Sequence, residues 1–272
     1  MRTMQRRQFL AAGAGLAFAA LARPARLAAQ AGPPSAGPAD PKLVEDLVAA
    51  NRILVDQGVL DGYGHVSVRH DRDPNRYVMS RSIAPELVTA ADVMEYDLDN
   101  TAVDARGRTS YLERFIHGEI YKIRPDVKAV VHSHSPSVIP FGATGVPLRP
   151  LYHMSAFLAA GVPVFDIRAA SGQMTDMLVR NPGLGQALAK ALGSAPVALM
   201  RGHGNVIVGT GLPQVVFRSV YTEVNARLQA QALALSGNVT YLDPEEAKKA
   251  EASIAGTLGR PWELWKKKAL AR

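Results

Sequence analysis

The chain contains no cysteine among its 272 residues. That excludes a disulfide framework, a thiol nucleophile and any thiolate ligand, so a bound metal would rest on His, Asp or Glu. Long apolar runs are missing too. The stretch from Phe9 to Ala22 is too short and too rich in Gly and Ala to span a bilayer comfortably. Histidine is scarce, with seven in the chain, and no internal repeat is evident. The basic balance is less general than it looks. Formal net charge is +7, but residues 1–31 hold five arginines (Arg2, Arg6, Arg7, Arg23, Arg26) and no acid, which leaves +2 for the remainder. Nothing in that remainder asks for nucleic acid or an anionic membrane.

What is present begins with an export pattern. The pair Arg6-Arg7 precedes Phe9 and Leu10, a brief apolar stretch and Ala29-Gln30-Ala31. This order predicts a twin-arginine signal peptide over residues 1–31 and a periplasmic mature protein with no membrane anchor after cleavage. Residues 32–40, rich in Pro, Gly and Ala, read as a disordered spacer. Residues 41–240 are long enough for one catalytic domain with a full core, and 241–272 read as a helical tail carrying Trp262 and Trp265.

Within that domain, Asp40 occupies an N-cap position ahead of Pro41. Leu43, Val44, Leu47, Val48, Ile53, Leu54 and Val55 keep a helical period as far as Gly58. "GHVSVRH" and "RYVMSR" read as strands around the turn "DRDPN". "YLERFIHGEIYKI" reads as a helix, "VKAVVHSH" as a strand, and "PVALMRGHGNVIVG" as strand, turn, strand. A long helix follows from Leu212, and Asp243 can cap another. Strands and helices mix without strict alternation, which predicts an α/β (α+β layered) fold: a central, mostly antiparallel sheet flanked by helices.

His132 and His134 are two apart on a strand, so both side chains can reach one ion at its end. Alone, such a pair also suits an exposed strand. His203, between two glycines in a turn, offers a third imidazole where backbone can approach closely. Three neutral imidazoles form a catalytic ligand set with positions left open for water or substrate. Such a centre needs a group that moves protons, and Glu113, near a helix start, is available. A helix start is also an ordinary place for Glu.

The block from "GHVSVR" through "YLERFIHGEIYKIRPDVKAVVHSHSPSV" to "MRGHGNVIVG" resembles the class II aldolase/adducin family over about residues 41–240. The motifs are a Glu nineteen residues before the first His, an H-x-H pair and a glycine-flanked His downstream. The resemblance implies His132, His134 and His203 as metal ligands, Glu113 as acid/base, and a fold of class II aldolase type. It also implies a homotetramer with active sites between subunits, and one divalent metal per subunit. Zinc leads among the ions a cysteine-free site accepts, with manganese, iron and cobalt as alternatives.

Departures from the sugar-phosphate members are informative. His65 of "GHVS" stands where those members resemble "GN-x-S", with Ser67 retained. "SRSIAPE" replaces their Thr-Gly phosphate loop, and Tyr111-Leu112 replace a Ser-Ser pair. Arg81 offers a bidentate partner for a carboxylate, or is an ordinary surface arginine. His153 of "PLYHMSAF" falls where aldolases place a proton-donating tyrosine, beside Tyr152. His117, one turn after Glu113, reads as packing or support for the site.

The expectation is a divalent-metal-dependent carbon–carbon lyase, cleaving or decarboxylating through a metal-stabilised enolate. Its partner would be a small non-phosphorylated hydroxy- or oxo-carboxylic acid or carbonyl compound, contacted by His65, Ser67 and Arg81. A sugar-phosphate aldolase or epimerase, and a non-catalytic adducin-like binding module, are the alternatives.

Overall fold

The first helix, α1 (Pro41–Asp56), begins where the Asp40-Pro41 pair predicts. Asp40 accepts a hydrogen bond from the Lys42 N–H, and Gly58 turns the chain away at φ +68°. A computed structural model describes residues 33–103 and 105–271, so the expected export signal lies outside the described residues. Chain order continues through β1 (His65–Arg69), β2 (Arg76–Ser80), β3 (Val93–Asp97), α2 (Phe115–Ile123), β4 (Ala129–Ser133) and α3 (Ile139–Thr144). It closes with β5 (Val164–Phe165), α4 (Ile167–Ser171), α5 (Pro182–Leu192), β6 (Val197–Met200), β7 (Gly204–Gly209), α6 (Leu212–Leu235), α7 (Pro244–Ala255) and α8 (Gly259–Leu270).

The strands form one seven-stranded sheet in the order β3-β2-β1-β4-β7-β6-β5, antiparallel throughout except for the β5–β6 pair. Both faces are covered, which explains why β1, β4, β6 and β7 are buried at every position. On one side Val66, Val131 and Ile207 meet Leu47 and Leu54 of α1 and Val216 of α6. On the other, Val130, Val206 and Val208 meet Ile116 and Ile120 of α2 and Leu188 of α5. Burying each such side chain contributes roughly 1.5–3 kcal/mol. Polar side chains held in the same layer must therefore be satisfied by hydrogen bonds or an ion. Among the buried polar residues are His65, Ser67, Glu113, His117 and His132.

One expectation changes. Residues 33–40 are not a free spacer, because their backbone finds fixed partners. The Ala36 N–H donates to Glu95 at 2.9 Å, the Arg76 guanidinium donates to the Pro34 carbonyl at 2.7 Å, and His70 Nε2 meets the Gly37 carbonyl at 3.1 Å. The tail 241–272 is helical, as expected, but it packs into the body of the domain. Trp262 is buried in the same core as α1, and Lys266 of α8 pairs with Asp46 of α1 at 2.6 Å. A large apolar ring needs a body to pack on, and α1 supplies it.

Candidate metal centre and active site

β4 carries His132 opposite His65 of β1 and Val206 of β7, and His134 follows just beyond the strand end. His203 arrives from the β6–β7 hairpin. Gly204 sits at φ +155°, and a Cβ there would stand 2.0 Å from the Ser133 carbonyl oxygen. Only glycine lets the hairpin come that close. Ring centroids of His203 then lie 4.9 Å from both His132 and His134. Glu113 does not stand inside the regular helix, as the sequence suggested. It occupies a short 3-10 turn, Leu112–Arg114, with φ −91° and ψ 17°, just ahead of α2.

The ligand atoms of Glu113, His132, His134 and His203 all lie within 4.8 Å of one another. Their surroundings fix which atoms face inward. His132 Nδ1–H donates to the Asn205 carbonyl at 3.1 Å, and His203 Nδ1–H donates to the Met177 carbonyl at 3.0 Å. A carbonyl only accepts, so in the neutral rings both Nε2 atoms are bare. His132 Nε2 is buried with no hydrogen-bond partner among the described residues. His203 Nε2 lies 3.1 Å from His134 Nε2, and Glu113 Oε2 is 3.5 Å from Nε2 of both His132 and His203. Lone pairs converging at this spacing repel unless a proton or a cation lies among them. Three imidazoles and a carboxylate are a donor set that a divalent transition metal accepts. The residues fit the ion.

Electrostatics agree. Burial alone would raise the Glu113 carboxyl, but positive charge on the neighbouring His132 and His203 outweighs it and holds the group well below the usual carboxylate range, so this cluster favours a cation among its donors. Its Oε1 also accepts the Val179 N–H at 2.9 Å. Burial, with His132 and His203 adding to it, lowers His134 to about 4, which keeps that ring neutral and free to bind. Burial likewise lowers His117 to about 3 and depresses His65.

A cavity of about 510 Å³ opens on this cluster, lined by Tyr63, His65, Ser82, Tyr111, Glu113 and His134 among others. Of the residues expected to contact substrate, His65 is in that wall. Ser67 is not: its fully buried hydroxyl bonds to His117 Nδ1 at 2.6 Å and Tyr121 OH at 2.8 Å. Arg81 does not line the cavity either. Its Nε donates to Asp92 at 2.6 Å, while the next residue, Ser82, does reach the wall. His153 is exposed, at the start of the 3-10 stretch His153–Ala160, and is not among the residues lining this cavity. His117 is a fully buried support, bonded to His65 and Ser67. Three further contributors carry no plain sequence signal or only a weak one: Tyr63 in the cavity wall, Tyr121 at the end of a hydrogen-bonded chain, and the 177–179 loop that holds both His203 and Glu113. Tyr121 was findable, since it lies four residues after His117 on one helix.

With this geometry in hand, comparison with known proteins gives the class. Residues 45–230 match the family model described as Class II Aldolase and Adducin N-terminal domain. The chain is 38% identical over 245 residues to decarboxylase tropJ of Talaromyces stipitatus, covering 82% of this chain and 92% of that protein. It is 30% identical over 210 residues to the 3,4-dihydroxyphthalate decarboxylase of Arthrobacter keyseri, covering 71% and 79%. Among solved structures, the L-fuculose 1-phosphate aldolase from Glaciozyma antarctica PI12 superposes with a TM-score of 0.69 at 25% identity, covering 84% of this chain and 88% of that one. The chain belongs to the class II aldolase and adducin family. Within that family it is an enzyme of the lyase type.

Proposed function

We propose that the chain is a divalent-metal-dependent decarboxylase of a hydroxylated aromatic carboxylic acid. One observation carries this reading: the converging donors of Glu113, His132, His134 and His203 open on a cavity walled by Tyr63, His65 and Tyr111, with no Lys or Arg among its lining residues. Such walls suit a flat ring better than a doubly charged phosphate, which asks for cationic side chains. The two decarboxylase relatives point the same way.

His132, His134 and His203 would hold the ion. A divalent cation there supplies Lewis acidity, drawing charge from the substrate oxygens as the carboxylate departs. In the reaction, the bond between ring carbon and carboxylate breaks, its electron pair stays with the ring, and the ring carbon takes a proton. Glu113, kept ionised beside the imidazoles, accepts a proton from the ring hydroxyl at Oε2 and returns it to the ring carbon. The Val179 N–H on Oε1 fixes which oxygen faces inward. Tyr111 and Leu178 line the cavity and would lie against the ring of a bound acid.

The wider reading has zinc as the resident ion and a homotetramer in which exposed His153 faces a neighbouring subunit's cavity as an acid/base group. It also has residues 1–31 directing twin-arginine export to the periplasm. Light scattering at two protein concentrations tests the tetramer, and a signal-peptide Arg6→Lys/Arg7→Lys variant retained in the cytoplasm supports the export route. The function itself is tested by carbon dioxide release from carboxyl-labelled 3,4-dihydroxyphthalate and dihydroxybenzoates. Release from at least one acid is expected. Cleavage of L-fuculose 1-phosphate with no carbon dioxide from any acid would overturn the reading.

A further inference from the structure

Between β1 and α2 runs a chain of buried polar contacts that metal binding does not require. His65 Nδ1 lies 2.7 Å from His117 Nε2, His117 Nδ1 lies 2.6 Å from Ser67 Oγ, and Ser67 Oγ lies 2.8 Å from Tyr121 OH. The sequence builds it by matching two periods. His65 and Ser67 are two apart on a strand, about 6.6 Å of rise, and His117 and Tyr121 are four apart on a helix, about 6 Å. The two pairs therefore face each other in register across the layer.

Each contact in the chain needs one hydrogen, and the two buried hydroxyls decide which way they point: were Ser67 to accept from both Tyr121 and His117, its own hydrogen would have no acceptor among these partners. Tyr121 is 1% exposed, and among the described residues its hydroxyl has no hydrogen-bond partner except Ser67. If the Tyr121 hydroxyl donates to Ser67, the Ser67 hydroxyl donates to His117 Nδ1, and His117 Nε2–H donates to His65 Nδ1. Every hydrogen then has an acceptor, and His65 carries its own on Nε2. If the chain ran the other way, the Tyr121 hydrogen would be stranded in the core, an outcome that costs the group its full desolvation. His65 would then present a bare acceptor. His65 lines the cavity, and with Nδ1 engaged by His117, Nε2 is the polar atom its ring has left for a ligand.

We propose that His65 presents an Nε2–H donor to an anionic oxygen of the aromatic acid, held in that tautomer by His117, Ser67 and Tyr121. His65 is thus a substrate-contacting group selecting for oxygen acceptors, and the other three are positioning residues. The site would favour a carboxylate or phenolate oxygen at this wall and reject an amine or a ring N–H there, because two donors would face each other. This inference rests on the decarboxylase reading for the substrate class, but not for the tautomer.

Nitrogen-15 magic-angle-spinning NMR of the zinc-loaded full chain, labelled at histidine, tests it directly, with His65 signals assigned by their loss in His65→Gln. A protonated Nε2 and a bare Nδ1 are expected. A ring protonated at Nδ1, alone or together with Nε2, would overturn the proposal. In Ser67→Ala the chain is cut, and a mixture of His65 tautomers is expected; a contribution of Ser67 to packing alone would leave the tautomer unchanged. Salicylate, measured by calorimetry, serves as the probe acid. His65→Phe should bind it about tenfold more weakly or worse, while His65→Gln, which keeps an amide donor, should stay closer to the unaltered protein. Equal affinity for all three would remove His65 from the contact. If the tautomer and the salicylate pattern hold but no acid releases carbon dioxide, the decarboxylase reading falls and the assignment of His65 stands.

Discussion

Glu113 shares its inward oxygen between two imidazoles and keeps its other oxygen on the backbone of the 177–179 loop. On the mechanism proposed above, that arrangement would separate holding an ion from moving a proton. Glu113→Gln should retain metal on His132, His134 and His203, while the rate of turnover falls about 10²–10⁴-fold, the usual worth of a positioned acid/base group. Metal content by elemental analysis beside the rate checks both halves. Undiminished turnover removes Glu113 from the chemistry. For Arg81 the expectation is now the reverse of the one its sequence position suggested. Its Nε is bonded to Asp92 and the residue does not line the cavity, so Arg81→Ala should leave acid affinity unchanged and cost about 1 kcal/mol of stability in denaturant melts. Why one set of residues was legible and the other not is a matter of pattern. His132, His134 and His203 announce themselves through strand period and flanking glycine. The partner of Arg81 lies eleven residues away across a 3-10 turn, and no local pattern declares it.

At the scale of elements, the site depends on how closely the β6–β7 hairpin approaches the end of β4. Gly204→Ala should push the hairpin from Ser133, destabilise the fold by about 1–3 kcal/mol and weaken metal retention, because His203 moves with the turn. Unchanged melting and full metal content would contradict that dependence. Helices with a clear start, α1 at Asp40-Pro41 and α7 at Asp243, were readable because capping is local chemistry. Helix α5 opens on the same chemistry, with Asn181 capping ahead of Pro182, but Gly183 and Gly185 interrupt its helical pattern. The structure gives the reason for Gly185: a Cβ there would stand 2.5 Å from the Phe115 carbonyl oxygen, so close packing of α5 on α2 requires it. Strand β5, two residues long, carries too little pattern to be seen.

For the whole molecule, the sheet buried on both faces ties the C-terminal helices and the site into one unit. Trp262→Ala should cost about 3–5 kcal/mol in unfolding experiments, although the residue lies far along the chain from every candidate ligand. A negligible loss would contradict that role for the helical tail 241–272. Acid should weaken the protein through its buried imidazoles. His117 falls from 6.5 to about 3 on folding, chiefly by burial, so below pH 6.5 the unfolded chain takes up a proton that the folded one refuses. Its contribution is complete above pH 6.5 and lost on the way down to about 3, at up to about 1.4 kcal/mol per pH unit. Melts of His117→Gln beside the unaltered protein should show a shallower fall over that window.

Carbon dioxide release should require an ion at His132, His134 and His203. The decisive measurement follows that release from one preparation as purified, after chelation, and after one equivalent of zinc is restored. Loss on chelation and recovery with zinc, neither seen in His132→Ala/His134→Ala, are the predicted results. Undiminished release from protein that elemental analysis shows to be metal-free would contradict the account.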